Sequence, residues 1–155
     1  MNEIVRIESF SFIGIATETT NKNEKSSEDL GNLWKRFYTE NTGEKIPGKI
    51  SNNIYAIYTD YESDYKGKYT ALIGYKVNSL EQIPEGFAGR KFIEQNFEIF
   101  SAKGKMPDEI VKVWIEIWGK DEELNRSYIY DFEVYDELSD KGENSIVDIF
   151  IGIKS

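Results

Sequence analysis

The chain contains no cysteine and no histidine. The first absence removes any disulfide framework and any thiolate metal site, and the second removes the commonest general base and metal ligand. Ser-His-Asp, Cys-His and zinc-hydrolase mechanisms are excluded in their usual forms, and neither a metal nor another cofactor is expected. Also missing is any apolar run near the roughly 20 residues that span a bilayer. The opening Met1-Asn2-Glu3-Ile4-Val5 lacks the basic and apolar regions of a signal peptide. A cytoplasmic, soluble protein with no membrane partner is the expectation, and the glycosylation sequon Asn125-Arg126-Ser127 then has no use. Positive charge is scarce as well: 19 Lys and Arg stand against 28 Asp and Glu, a net charge of −9. With no clustered basic stripe, direct nucleic-acid binding is not expected. The acidic field either attracts small cations or serves only as a soluble surface.

What the chain does have is apolar and aromatic content. At 155 residues, with 39% hydrophobic and 14% aromatic residues, it fits one domain over 1–155 that buries roughly two thirds of its unfolded surface. A strand or bent strand pair is predicted from Val5 to Thr17. Polar residues to Lys25 form a loop, and Ser26 or Ser27 caps a helix whose Leu30, Leu33, Trp34 and Phe37 share one face. Strands follow at 54–61 and 69–77, and the segment 78–89, with Pro84-Glu85-Gly86, reads as a linker.

The pattern then repeats. A strand over 91–102 precedes a helix that starts at Pro107, carries Ile110 to Trp118 and stops at Gly119; strands at 130–135 and 146–153 complete the half. The order strand, helix, strand, strand thus occurs twice, in pseudo-repeats over about 1–77 and 90–155. Ala56 aligns with Glu133, Tyr58 with Tyr135, and Gly74 with Gly152. The second helix has an apolar arc of about 200°, against about 140° for the first. The excess places Trp114 or Trp118 either in a cleft or in a wholly apolar interface.

The residue on which function turns is Glu133, in Tyr130-Asp131-Phe132-Glu133-Val134-Tyr135. Strand alternation puts Asp131, Glu133 and Tyr135 on one face and Tyr130, Phe132 and Val134 on the other. Either the carboxylates line a solvated face, or Glu133 sits at the bottom of an aromatic pocket where a cationic ligand would relieve its burial.

The strand Phe12-Ile13-Gly14-Ile15, the helix Leu33-Trp34-Lys35-Arg36-Phe37, the strand end Gly74-Tyr75-Lys76-Val77, the turn Ile83-Pro84-Glu85-Gly86, the strand Phe97-Glu98-Ile99-Phe100 and Asp131-Phe132-Glu133-Val134-Tyr135 occur in one order. In that order and spacing the chain resembles the GyrI-like, or AraC-type, effector-binding domain family, in a stand-alone, integron-associated form. The resemblance implies an α+β fold: a duplicated β-α-β-β unit forming a curved antiparallel sheet with two main helices and a cleft between the halves. It also implies an aromatic pocket whose glutamate, at Glu133, receives lipophilic aromatic cations.

Trp34, Phe37, Trp114 and Trp118 are the candidate walls, and Tyr58 and Tyr135 the candidate floor. Phe150 joins them if its strand lies beside that of Glu133, while Phe92, Phe97, Phe100 and Phe132 are assigned to core. Three functions are open. The first is a stand-alone binder of hydrophobic, cationic compounds. The second is a hydrolase of strained electrophiles with Glu133 as general base. The third is a gyrase-inhibitor-like protein partner presenting Asp60, Glu62 and Asp64, or Glu122 and Glu123.

Overall fold

The computed structural model describes residues 2–154. Eight strands form one antiparallel sheet: β1 (Ile4–Ile7), β2 (Phe10–Thr20), β3 (Ile54–Thr59), β4 (Lys68–Val77), β5 (Ala88–Phe92), β6 (Gln95–Lys103), β7 (Tyr130–Tyr135) and β8 (Ile146–Ile153). Two helices of more than two turns, α1 (Lys25–Thr39) and α3 (Asp108–Gly119), join two single-turn helices, α2 (Thr42–Lys45) and α4 (Asp121–Leu124). The strand order β1-β6-β8-β7-β3-β4-β2-β5 reads the same from either edge when the halves are exchanged. Among the described residues, no helix is long and apolar enough to cross a membrane.

The curved antiparallel sheet with two main helices is the expected α+β architecture. It differs from expectation in its edges. The stretch anticipated as one strand over 91–102 is broken at Ile93 and Glu94, so that β5 and β6 are separate and the linker ends at Phe87. Each half therefore opens with a short extra strand, and that strand pairs in the other half: β1 runs against β6, and β5 against β2.

Both faces of the sheet are packed. Phe12, Tyr55, Ile57, Leu72, Phe97, Tyr130 and Phe132 fill one face. Phe92 of β5 meets Tyr130 of β7 at a ring distance of 4.8 Å although three strands lie between them in the sheet, so the sheet curls around this aromatic core. The opposite face carries the helices. Leu33 and Phe37 of α1 pack with Ile13, Ala56 and Ile73, and Ile110 and Ile117 of α3 pack with Phe100, Ile149 and Ile151; each such buried side chain contributes about 1.5–3 kcal/mol.

Two local corrections bear on the site. Helix α1 starts at Lys25, preceded by Asn23 and Glu24 at positive φ (55° and 58°), and no side chain caps it. Ser26 and Ser27, expected as caps, lie inside its first turn. At the other helix Pro107 occupies the position just before Asp108, as expected of proline at a helix start; Gly119 is the last helical residue, and α4 follows almost at once.

Candidate functional site

Strands β3 and β7 meet at the middle of the sheet, with Ala56 opposite Glu133, Tyr58 opposite Asp131 and Ile54 opposite Tyr135. Antiparallel partners share a face, so Tyr58, Asp131, Glu133 and Tyr135 all point to the helix side. Above them α1 and α3 stand apart and leave a cavity of about 360 Å³, within the range of small-molecule sites. Helix α1 contributes Ser26, Ser27, Leu30, Gly31 and Trp34, while α3 contributes Ile110, Val111, Trp114 and Trp118. Tyr58, Tyr61, Tyr65 and Tyr69 come from β3, β4 and the loop between them. Glu133 and Tyr135 form the floor, with Arg126 beside them.

Glu133 is 3% exposed. The Trp114 indole N–H donates to its Oε2 at 2.6 Å, and the Tyr135 hydroxyl donates to its Oε1 at 2.6 Å. Burial pushes the carboxyl above the usual glutamate range; the hydrogen bonds from Tyr135 and Trp114, with a smaller contribution from Tyr58, pull the other way without cancelling it. The neighbouring hydroxyls respond in kind. Burial, and then the Glu133 charge, hold Tyr58 and Tyr135 well above the ordinary phenol value, and burial pushes Tyr69 up to about 12. These phenols are donors at any physiological pH.

The aromatic walls are locked to one another. Trp34 meets Tyr135 edge to face at 4.8 Å, and Tyr58 meets Trp114 at 5.6 Å with ring planes 90° apart. Trp118 stacks on Tyr65 at 5.9 Å, which links α3 to the β3–β4 loop. All three tryptophans of the chain therefore line the cavity.

Asp131, one residue pair along from Glu133, is fully buried but differs in having a cation. The Arg126 Nη2 donates to its Oδ2 at 2.7 Å, the Gly152 backbone N–H donates to its Oδ1 at 2.7 Å, and the Tyr61 hydroxyl donates as well. Burial opposes the Arg126 charge, yet the Asp131 carboxylate beside it outweighs burial and raises the guanidinium pKa further. Among the described residues Glu133 has no such ion pair.

Of the residues singled out in the sequence, Glu133, Trp34, Tyr58, Trp114, Trp118 and Tyr135 converge on this cavity. Phe37 does not. It is 3% exposed and packs under α1 against Tyr75 at 6.0 Å, a turn further along the helix than the cavity reaches. Phe150 also lies elsewhere: β8 pairs with β7, but Phe150 faces Phe132 across the ladder and stacks on it at 4.6 Å, on the aromatic-core side. Phe92, Phe97, Phe100 and Phe132 are buried core as assigned. Sequence reasoning passed over Tyr61, Tyr65, Tyr69 and Arg126. The tyrosines had only a compositional signal, the tyrosine-rich stretch from Tyr58 to Tyr69; Arg126 had none, because its role depends on a turn that returns it to Asp131. Of the exposed acidic groups, Asp60 is held by Arg90 at 2.5 and 3.1 Å, so its charge is largely answered within the chain.

Comparison with known proteins agrees with this architecture. A crystal structure of an integron cassette protein from Vibrio cholerae is 28% identical and superposes with a TM-score of 0.76 over 98% of this chain and 95% of that one. A Staphylococcus aureus MU50 protein, named provisionally for transcription regulation, is 17% identical and superposes with a TM-score of 0.78 over 100% of this chain and 99% of that one. A structure of SAV2435 bound to tetraphenylphosphonium, also 17% identical, gives 0.78 over 100% and 94%. In sequence, the Bacillus subtilis (strain 168) protein YobU, named provisionally as a transcriptional regulator, is 23% identical over 99% of this chain and 98% of its own length. Residues 3–153 match the Cass2 family throughout, and the chain belongs to that family of integron-associated effector binding proteins.

Proposed function

We propose that this chain captures hydrophobic compounds bearing a delocalised positive charge, such as aromatic or lipophilic cations, in the cavity between α1 and α3, with Glu133 as counter-ion. The observation that carries the proposal is the pairing state of Glu133: a buried carboxylate at the floor of an aromatic cavity, given hydrogen bonds but no cation. Burying such a group costs several kcal/mol unless a charge of opposite sign answers it, and a ligand cation does so. The aromatic faces add roughly 0.5–2 kcal/mol each for a positive charge within reach. Recognition of charge and apolar surface, with few directional demands, suits a range of compounds. Membership in an effector-binding family supports the reading, and the tetraphenylphosphonium held by SAV2435, a protein of the same fold, is a compound of this chemical class.

Hydrolysis of an electrophile by Glu133 is less well supported. Both carboxylate oxygens already accept a hydrogen bond from a side chain wedged in the wall, an arrangement that fixes a charge in place rather than freeing an oxygen to take a proton from water. Titration of the intrinsic tryptophan fluorescence with tetraphenylphosphonium and with neutral tetraphenylmethane-like analogues tests the proposal. Saturable binding of the cation is expected, with Glu133→Gln weakening it at least about tenfold, or about 1.4 kcal/mol, and affecting the neutral analogue much less. Equal cation binding by the two proteins overturns the counter-ion role.

A further inference from the structure

We infer that the cavity has a second polar subsite, at Arg126, and that the ligand presents a neutral hydrogen-bond acceptor there, such as a carbonyl, ester, amide or ether oxygen. This rests on the reading of the cavity as a cation site and adds a second requirement to its ligand. Arg126 lines the cavity with its side chain 1% exposed. Its Nη2 is committed to Asp131. Its Nε and Nη1 are buried and have no hydrogen-bond partner; the Asp121 carboxylate is 3.7 Å from Nη1, beyond hydrogen-bonding distance. A guanidinium has five N–H donors in a fixed fork, and buried donors left unmade are costly. These are the chain's only buried side-chain polar atoms without a partner among the described residues.

The surroundings decide which group completes them. Charge is already balanced: Asp131 is in direct contact, and Asp121 lies within ion-pair distance while accepting a hydrogen bond from Tyr128. A carboxylate or phosphate added there would make a third negative charge beside Arg126. What the guanidinium lacks is an acceptor, not an anion. The faces around it are aromatic, with its Cζ 4.3 Å from the Tyr128 ring centre and 6.0 Å from that of Trp114, so the acceptor would arrive as part of an otherwise apolar group.

The two subsites are neighbours. Asp131, which holds Arg126, and Glu133 are two residues apart on one face of β7, about 7 Å at the rise of a strand. Trp114 spans the gap: its N–H is bonded to Glu133 and its ring faces Arg126. A compound lying along the indole meets Glu133 with its cation and Arg126 with its acceptor.

Two phosphonium salts of equal tail length separate the terms: heptyltriphenylphosphonium, and (3-ethoxycarbonylpropyl)triphenylphosphonium, in which an ester replaces part of the alkyl tail. Hydrophobicity alone ranks the alkyl compound tighter. On the wild-type chain the ester compound is expected to bind severalfold tighter by tryptophan fluorescence. Arg126→Lys, which keeps a cation for Asp131 but loses the planar fork that places Nε and Nη1, should shift the ratio of the two affinities about tenfold toward the alkyl compound. The wild-type ranking stands as a test by itself if the variant does not fold. Tighter or equal binding of the alkyl compound by the wild type, or an unchanged ratio in a folded variant, overturns the acceptor subsite. If Glu133→Gln still weakens both compounds in that case, the cation site survives; if neither compound binds the wild type, both readings fall.

Discussion

Asp131 and Glu133 show how one strand face gives two carboxylates different roles. Both are buried and both accept several hydrogen bonds, yet only Asp131 has a cation inside the fold. The raised pKa of Glu133 has a consequence for stability whose sign is fixed. A carboxyl whose folded pKa lies above its unfolded value binds more protons in the native state, so its ionisation costs stability, fully above the folded pKa and not at all below the unfolded one. Without ligand, the melting temperature of wild type relative to Glu133→Gln should therefore rise as pH falls through the raised Glu133 pKa, the Gln side chain itself costing one acceptor for Trp114 or Tyr135; a gap that stays constant with pH in thermal melts contradicts the assignment. With Glu133 as the proposed counter-ion, cation binding should weaken as pH falls through its pKa. Trp114→Phe removes a donor to the charged form, so the midpoint of that loss should move to higher pH, read from cation titrations across a pH series.

At the scale of elements, the site depends on close backbone approach in the sheet beneath it. Gly14 of β2 and Gly74 of β4 face each other across the ladder, and a Cβ built on Gly74 would lie 2.1 Å from the Ile13 carbonyl oxygen and 2.5 Å from the Gly14 Cα. No side-chain rotation relieves contacts with backbone. Gly74→Ala should destabilise by about 1–3 kcal/mol or more, measured by urea unfolding, and should also weaken ligand binding because β4 supports β3 and its Tyr58. Gly119→Ala, at the end of α3 and outside the cavity lining, with nothing within 4 Å of the added Cβ, serves as the control and should be neutral or stabilising. Elements with strong periodicity were legible in the sequence for this reason: α1, α3 and β7 each carry enough apolar side chains at one spacing to dictate their own faces. Glu133, Tyr135, Trp34 and Trp114 were found through those faces. Phe37 was misplaced because helical periodicity places a residue on an apolar face without saying whether core or cavity lies beneath each turn.

Over the whole molecule, the information that was hardest to read is long-range. The division of 91–102 into β5 and β6, and the crossing of β1 and β5 into opposite halves, leave no local signature beyond a break at Ile93 and Glu94, because a strand's partner is chosen by the assembled sheet and not by its own residues. The position of Arg126 is illegible for the same reason. This exchange of strands determines how the chain unfolds. Residues 1–87 hold β1 through β4, but β1 pairs with β6, β2 loses β5, and β3 loses β7. The aromatic core is divided likewise, since Phe12, Tyr55, Ile57 and Leu72 pack with Phe92, Phe97, Tyr130 and Phe132. Neither half can bury its own apolar surface, so although the strand order has the symmetry of two units, the chain should behave as one cooperative domain. Tryptophan fluorescence, which reports Trp34 from one half and Trp114 and Trp118 from the other, should give the same urea midpoint as far-UV circular dichroism, and a fragment of residues 1–87 should show neither a cooperative melt nor dispersed amide resonances. Two separated transitions, or a folded fragment, would mean that the crossed strands are peripheral additions to halves that are stable alone.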